Sequence, residues 1–208
     1  MKTRVFLIRH GETLWNREQR CQGFTDIELS DKGMEQAELV GRYLQKTTEL
    51  NAVYSSDLAR AKKTAEIIAR KYKLEVNTDP RLRELNQGQM EGKNLSGMLE
   101  KEPAFLEKWL KAPADFIMPG GESLKQLQAR AVRAYSEIIA RHNGQTVAIV
   151  GHNLANTTIL CKILDLHLDF FRRLKQSTAA LNEIEYGPYG PVIIRLNDTH
   201  FLNSSAAS

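Results

Sequence analysis

The stretch LIRHGETLWN, Leu7 to Asn16, decides how this chain is read. It closes an apolar run, Val5-Phe6-Leu7-Ile8, which stops abruptly at Arg9-His10-Gly11-Glu12. A continuous apolar run predicts a strand buried on both faces, as in a parallel sheet. An arginine adjoining such a strand needs an anion or a carboxylate beside it. Far along the chain, Thr146-Val147-Ala148-Ile149-Val150 predicts a second buried strand, followed at once by Gly151-His152. In open α/β sheets, ligands bind beyond the carboxyl ends of strands. His10 and His152 are therefore expected at one sheet edge. Gly11 and Gly151 are read as relieving crowding, so that backbone N–H groups can approach a ligand closely.

Between these strands the pattern alternates. Ser30 caps a helix over about 31–45 with the stripe Ala37, Val40, Leu44, and Ser56 or Asp57 caps another over about 58–72 with Ala61, Ala65, Ile68. Ser123 to Gln126 is a capping box opening a long helix with the stripe Leu124, Leu127, Ala131, Ala134, Ile138. A further helix is expected over about 154–164. Shorter strands are expected at 52–54, more weakly at 74–76, and at 180–186 and 192–196 around the turn Gly187-Pro188-Tyr189-Gly190. Residues 79–121 read as irregular, with helical pieces near 96–101 and 104–110, and 203–208 as a disordered tail. This alternation predicts an α/β three-layer sandwich, a mostly parallel sheet with helices on both faces. One domain spans 1–208, with 90–121 as a cap-like excursion over one end.

The bulk numbers exclude several classes. The chain has 208 residues, 42% hydrophobic, with a net charge of +4. That suffices for one sizeable core. The charge suits anionic ligands but is too small an excess to indicate nucleic acid. Cys21 and Cys161 form no CxxC pair, which fits a reducing compartment and offers no cysteine metal site. No signal-peptide pattern and no membrane-spanning apolar run are present, so a cytoplasmic protein without a membrane partner is expected. There is no HExxH, P-loop or GxGxxG. His10-Gly11-Glu12 matches the H-x-E of zinc deaminases, but their Pro-Cys-x-x-Cys is missing.

Several segments, in one order from about Arg4 to Leu196, resemble the histidine phosphatase superfamily, also called phosphoglycerate mutase-like. They are Arg9-His10-Gly11-Glu12-Thr13, Leu29-Ser30-Asp31-Lys32-Gly33, Ser55-Ser56-Asp57-Leu58-Ala59-Arg60-Ala61, Arg81-Leu82-Arg83-Glu84, Gly120-Gly121-Glu122-Ser123 and Val150-Gly151-His152-Asn153. The resemblance implies the roles. His10 is the nucleophile that forms a phosphohistidine, with one ring nitrogen held by a backbone carbonyl. Arg9 and Arg60 clamp the phosphoryl oxygens. His152 donates to an equatorial oxygen. Glu84, which only the resemblance separates from ordinary surface charge, is the general acid. Asn16 is a further donor or a turn residue. Gln22, Gly23 and Asn153 lie where family members contact substrate or phosphate. Glu12 is expected to support the structure.

The reading implied is a small phosphatase of the family that hydrolyses phosphorylated metabolites without a metal or other cofactor. The excursion after Glu91-Gly92 is compact, and Met90 stands where the phosphatase branch often has Trp. The alternatives are a cofactor-dependent phosphoglycerate mutase and a non-catalytic phosphate-binding regulator. The presence of both His10 and Glu84 disfavours the regulator. Asn86, Gln87 and residues 95–118 are expected to set specificity. Trp15 is read as packing. Phe105, Trp109 and Phe116 either roof the pocket or pack the cap, with packing preferred. A homodimer through an edge strand or an exposed helix remains an open option.

Overall fold

A computed structural model describes residues 2–94 and 103–206. The two apolar runs are strands β1 (Thr3–Arg9) and β4 (Thr146–Gly151). They pair in parallel, from Arg4 opposite Thr146 to Arg9 opposite Gly151. With β2 (Ala52–Ser55), β3 (Val76–Thr78), β5 (Leu181–Gly187) and β6 (Gly190–Asp198) they form one sheet in the order β3-β2-β4-β1-β5-β6. The pairs from β3 to β1 are parallel, and β5 runs antiparallel to both β1 and β6. The sheet is thus mostly parallel, as the alternation of elements predicts. The weak strand forms two residues later than expected. Lys73 takes a left-handed conformation (φ 56°) that ends the preceding helix, and Leu74 still donates to Ala69 O.

Each central strand sends alternate residues to opposite faces. Val5, Leu7, Val147 and Ile149 pack with Leu127, Ala131 and Ile138 of one helix and Ile159 of another. Phe6, Ile8, Ala148 and Val150 pack with Val40, Leu44, Ala61 and Ile68 on the other face. The first pair of helices is α5 (Leu124–Arg141) and α6 (Asn153–Ile163); the second is α2 (Asp31–Thr47) and α3 (Ala59–Tyr72). Of the three predicted caps, those of Ser30 and Ser123 form, whereas α3 has Leu58 at its N-cap, with no side-chain cap from Ser56 or Asp57. Ser30 Oγ accepts from Gly33 N, and Ser123 and Gln126 bond reciprocally. Ahead of α2, the short helix α1 (Leu14–Arg17) has its own capping box between Thr13 and Asn16. Helix α4 (Pro103–Lys111) matches the later helical piece expected in the excursion, while the piece near 96–101 lies outside the described residues.

Two readings are corrected. The chain does not fall structureless from 203: a 3-10 helix runs over His200–Ala206, anchored by buried Phe201 against the α2 side. Residues 207–208 lie outside the described residues. Nor do Gly11 and Gly151 open space for a ligand. A Cβ on Gly11 would stand 2.4 Å from Gly33 O, and one on Gly33 2.0 Å from Glu12 O. A Cβ on Gly151 would stand 2.4 Å from Asn156 Oδ1. These glycines let the turn after β1 rest on the first turn of α2, and let β4 rest on α6. No helix among the described residues is long and apolar enough to cross a membrane.

The Gly11–Gly33 contact makes Gly33→Ala destabilising even at a helical position. In an open helix the exchange would gain about 1 kcal/mol. Here the overpacking should cost roughly 1–3 kcal/mol more than it returns. Urea unfolding should show a lower midpoint at unchanged slope; a midpoint at or above the parent's would mean the contact relaxes freely.

Candidate active site

The parallel pairing of β1 and β4 settles where the histidines go. Arg9 lies opposite Gly151, and His10 N donates to Gly151 O at 3.1 Å, extending the ladder one step past the strands. His10 and His152 therefore leave the sheet at the same edge, their ring centroids 5.1 Å apart. His10 Nδ1 donates to the Gly11 carbonyl at 2.7 Å, which leaves Nε2 as the lone-pair nitrogen of the neutral ring. Burial, then the charges of Arg60 and Arg9, hold His10 well below its ordinary pKa near 6.5. His152 is fully buried, neither ring nitrogen has a partner, and burial with the same arginines lowers its pKa as well.

Two guanidinium groups face this pair. Arg60, in the first turn of α3, is fully buried and donates through Nη1 to Thr25 O (2.9 Å) and through Nη2 to Gly23 O (2.8 Å). Its Nε is unpartnered. Burial lowers its pKa to about 10, opposed chiefly by Glu84. Arg9 donates Nη1 to Gln176 O at 2.6 Å, and its Nε is likewise unpartnered. Gln176 is itself fixed by a reciprocal amide pair with buried Asn182, at 3.0 and 2.7 Å. Asn182 also donates to Leu7 O in β1.

Glu84 is the carboxylate that offsets both arginines. It is buried, and Oε1 accepts from the amides of Leu85, Leu154 and Ala155, while Oε2 shares only the Leu154 amide. It is thus seated on the N-terminus of α6, where backbone N–H groups favour an anion. The local sum is two cations, one anion and two neutral imidazoles, with orphaned donors on Arg9, Arg60 and His152. A buried donor without a partner is costly. An oxyanion bound there would meet the spare donors of Arg9 and Arg60 together.

A cavity of about 560 Å³ opens at this edge. Eight of the nine expected site residues line it: Arg9, His10, Asn16, Gln22, Gly23, Arg60, Glu84 and Asn153. His152 does not reach the wall and meets the site through His10. Asn16 unites its two readings, since Oδ1 accepts from Thr13 in the capping box and leaves Nδ2 as a donor. Gln22 is buried with Oε1 unpartnered. Asp57 caps nothing: it holds Arg83 at 2.7 and 2.5 Å, and Asp26 accepts from Ala59 N at the start of α3.

Part of the lining is apolar, formed by Leu85, Met90, Phe105, Trp109, Met118 and Phe171. Packing and lining are not alternatives here, because Trp109 does both, meeting Phe116 edge-on and Phe171 at a tilt while lining the cavity. Trp15 also lines the cavity, under the Arg20 guanidinium. Gln87 lines it, but Asn86 does not; the Asn86 side chain accepts from Gly88 N within its own turn. Sequence reasoning missed the residues behind the wall. Arg130 of α5 donates to the carbonyls of Arg81, Arg83 and Glu84 and pairs with Glu122, clamping the turn that carries Glu84. Glu122 falls in a recognised segment, but nothing in the sequence singles out Arg130. Among the described residues no group of three or more His, Cys, Asp or Glu is placed to hold a metal ion.

Residues 5–199 match the family model described as histidine phosphatase superfamily (branch 1). A probable phosphoglycerate mutase GpmB of Salmonella choleraesuis is 35% identical over 182 residues, 88% of this chain and 84% of that protein. Among solved structures, Bacillus stearothermophilus YhfR superposes with a TM-score of 0.90 at 32% identity, covering 97% of this chain and 100% of that one. A mycobacterial glucosyl-3-phosphoglycerate phosphatase, complexed with VO3, superposes at 0.86 and 26% identity, covering 94% and 99%.

The depressed histidines set a pH dependence. Below pH 6.5 the unfolded chain takes up protons on His10 and His152 that the folded chain refuses. Folding stability is therefore fully present above pH 6.5 and falls as pH drops toward the folded-state values. Each histidine contributes up to about 1.4 kcal/mol per pH unit across that window. In phosphate-free buffer, His152→Gln should flatten the decline between pH 6.5 and 5; an unchanged slope would show that His152 already carries its proton in the folded state.

Proposed function

The chain belongs to the histidine phosphatase superfamily, and on that premise we propose that it hydrolyses small phosphorylated metabolites through a phosphohistidine on His10. One observation carries the reading: Nδ1 of His10 is committed to the Gly11 carbonyl, so Nε2 presents a lone pair to a cavity walled by Arg9, Arg60 and Glu84. The arginines bind the phosphoryl oxygens, and Nε2 attacks phosphorus in line with the ester bond. The P–O bond breaks as the N–P bond forms, and Glu84, which takes up the proton of the bound phosphoryl monoanion, gives that proton to the departing alkoxide. Glu84 then takes a proton from water, whose oxygen attacks phosphorus, and the P–N bond breaks to release phosphate and neutral His10. His152, packed edge-on behind His10, supports the attacking ring from outside the cavity wall. The positive charge needed comes from Arg9 and Arg60, which supports a reaction without a metal. Free Cys21 and Cys161 and a metabolite substrate support a cytoplasmic setting.

The named relatives include both a probable mutase and a phosphatase, and the cavity favours hydrolysis. A phosphoglycerate mutase must hold a carboxylate as well as a phosphoryl group. Beyond Arg9 and Arg60, the one further cation among the described cavity residues is Arg20, already paired with Glu18 at 2.8 Å. The apolar wall suits an alcohol with apolar or aromatic surface better than a phosphoglycerate.

Brief incubation with an aryl phosphate should leave acid-labile, base-stable phosphate on the protein, and His10→Ala should abolish it and cut turnover by several orders of magnitude. Activity should persist in EDTA. Trp109→Ala should raise KM for aryl phosphates several-fold while leaving inhibition by inorganic phosphate unchanged. Isomerisation of 3-phosphoglycerate with 2,3-bisphosphoglycerate, running faster than phosphate release, would make the protein a mutase instead.

A further inference from the structure

Arg60 is held by two backbone carbonyls, so its aim is only as good as the loop that carries them. That loop, residues 21–26, has no regular secondary structure of its own beyond a turn in which Thr25 N donates to Gln22 O. What fixes it is a carboxylate outside the cavity wall. Glu91 Oε1 accepts from Phe24 N (2.8 Å) and Gln87 N (3.3 Å), and Oε2 accepts from Thr25 N (2.8 Å) and Thr25 Oγ1 (2.5 Å). Gly23 sits against it in a left-handed conformation (φ 53°), where a Cβ would stand 2.0 Å from Glu91 Oε1. The neighbouring backbone is laced as well: Cys21 N donates to Lys93 O, and Gly92 N donates to Cys21 O. Glu91 thus gathers donors from Phe24 and Thr25 and turns the carbonyls of Gly23 and Thr25 toward Arg60.

Resting on the phosphatase reading, we propose that Glu91 is a positioning residue for Arg60. It latches the backbone of 23–25 so that two carbonyls hold the guanidinium on the phosphoryl site, and it keeps Gln22 of the same loop in the cavity wall. Hydrogen bonds to a charged acceptor are about twice as strong as neutral ones. A carboxylate offers acceptors on both oxygens. Glutamine would offer one and turn an N–H donor against donors already there. A misplacement of about 1 Å far from the chemistry can cost about 100-fold in rate. Because Arg60 acts most where charge develops on the transferring group, loosening it is read in kcat more than in KM.

The test is a double-mutant cycle between Glu91→Gln and Arg60→Lys, read by kcat and KM on an aryl phosphate and by inhibition with vanadate, which takes the five-coordinate shape of phosphoryl transfer. Glu91→Gln alone should lower kcat by about 10–100-fold, move KM less than threefold, and weaken vanadate by about the same factor as kcat/KM. In the Arg60→Lys background the same change should cost less than twofold. Equal losses in both backgrounds would overturn the proposal, because Glu91 would then act independently of Arg60. If Glu91→Gln does not fold, Thr25→Val removes one bond of the latch, and vanadate inhibition left unchanged by it is the overturning result. Should the parent hydrolyse no phosphomonoester, the phosphatase reading fails by itself; calorimetric binding of vanadate to the same variants still reads the Glu91–Arg60 coupling.

Discussion

The bond from His10 N to Gly151 O is the joint on which the site is assembled. It continues the β1–β4 ladder past the last strand residues, so two histidines distant in sequence leave the sheet side by side. A slip of one residue in that pairing would turn Arg9 and the apolar runs to the wrong faces. Because both strands are buried on both faces, the register is held by two packed helix layers as well as by hydrogen bonds. The two histidines are mounted on the buried centre of the sheet, and loops bring the remaining groups to them.

Those remaining groups are kept in place by charge-assisted hydrogen bonds to backbone. Arg60 is the largest fully buried side chain among the described residues, and carbonyls satisfy both of its Nη atoms. Glu84 is met by amides, and Arg130 grips three carbonyls of the turn that bears it. Charged side chains inside the protein thus organise main chain, and the main chain in turn fixes the groups that line the cavity. This is a demanding way to build a site, because an unpaired buried charge costs several kcal/mol. It also leaves each guanidinium with a donor spare for a ligand.

The strands and helices were legible because burial writes itself into periodicity. The stripes predicted for α2, α3 and α5 are the residues that the two cores bury, and the two strand-end histidines meet as their runs imply. Arg9, His10 and His152 could be placed from strand ends, and Arg60 from the family likeness. Glu84 needed the family likeness, since a carboxylate among arginines has no periodic signature. Glu91 and Arg130 were not legible for a sharper reason: their partners are backbone atoms, which every residue possesses, so no complementary side chain marks them. The glycines misled in the opposite direction. Their need is for close approach, and sequence does not say whether a ligand or another strand of chain approaches.

The amide pair between Gln176 and Asn182 has a consequence for how the mixed sheet is checked as it forms. Asn182 lies opposite Leu7 in the one antiparallel seam that joins β5 to the parallel set, and it is fully buried there. Shifted by one position, its amide would face the other layer without Gln176, and two polar groups would be stranded in hydrocarbon. The correct seam also leaves the Gln176 carbonyl where Arg9 finds it. A chain that has zipped this seam wrongly is therefore also one without an anchored arginine, so conformational proofreading and assembly of the anion site are a single event.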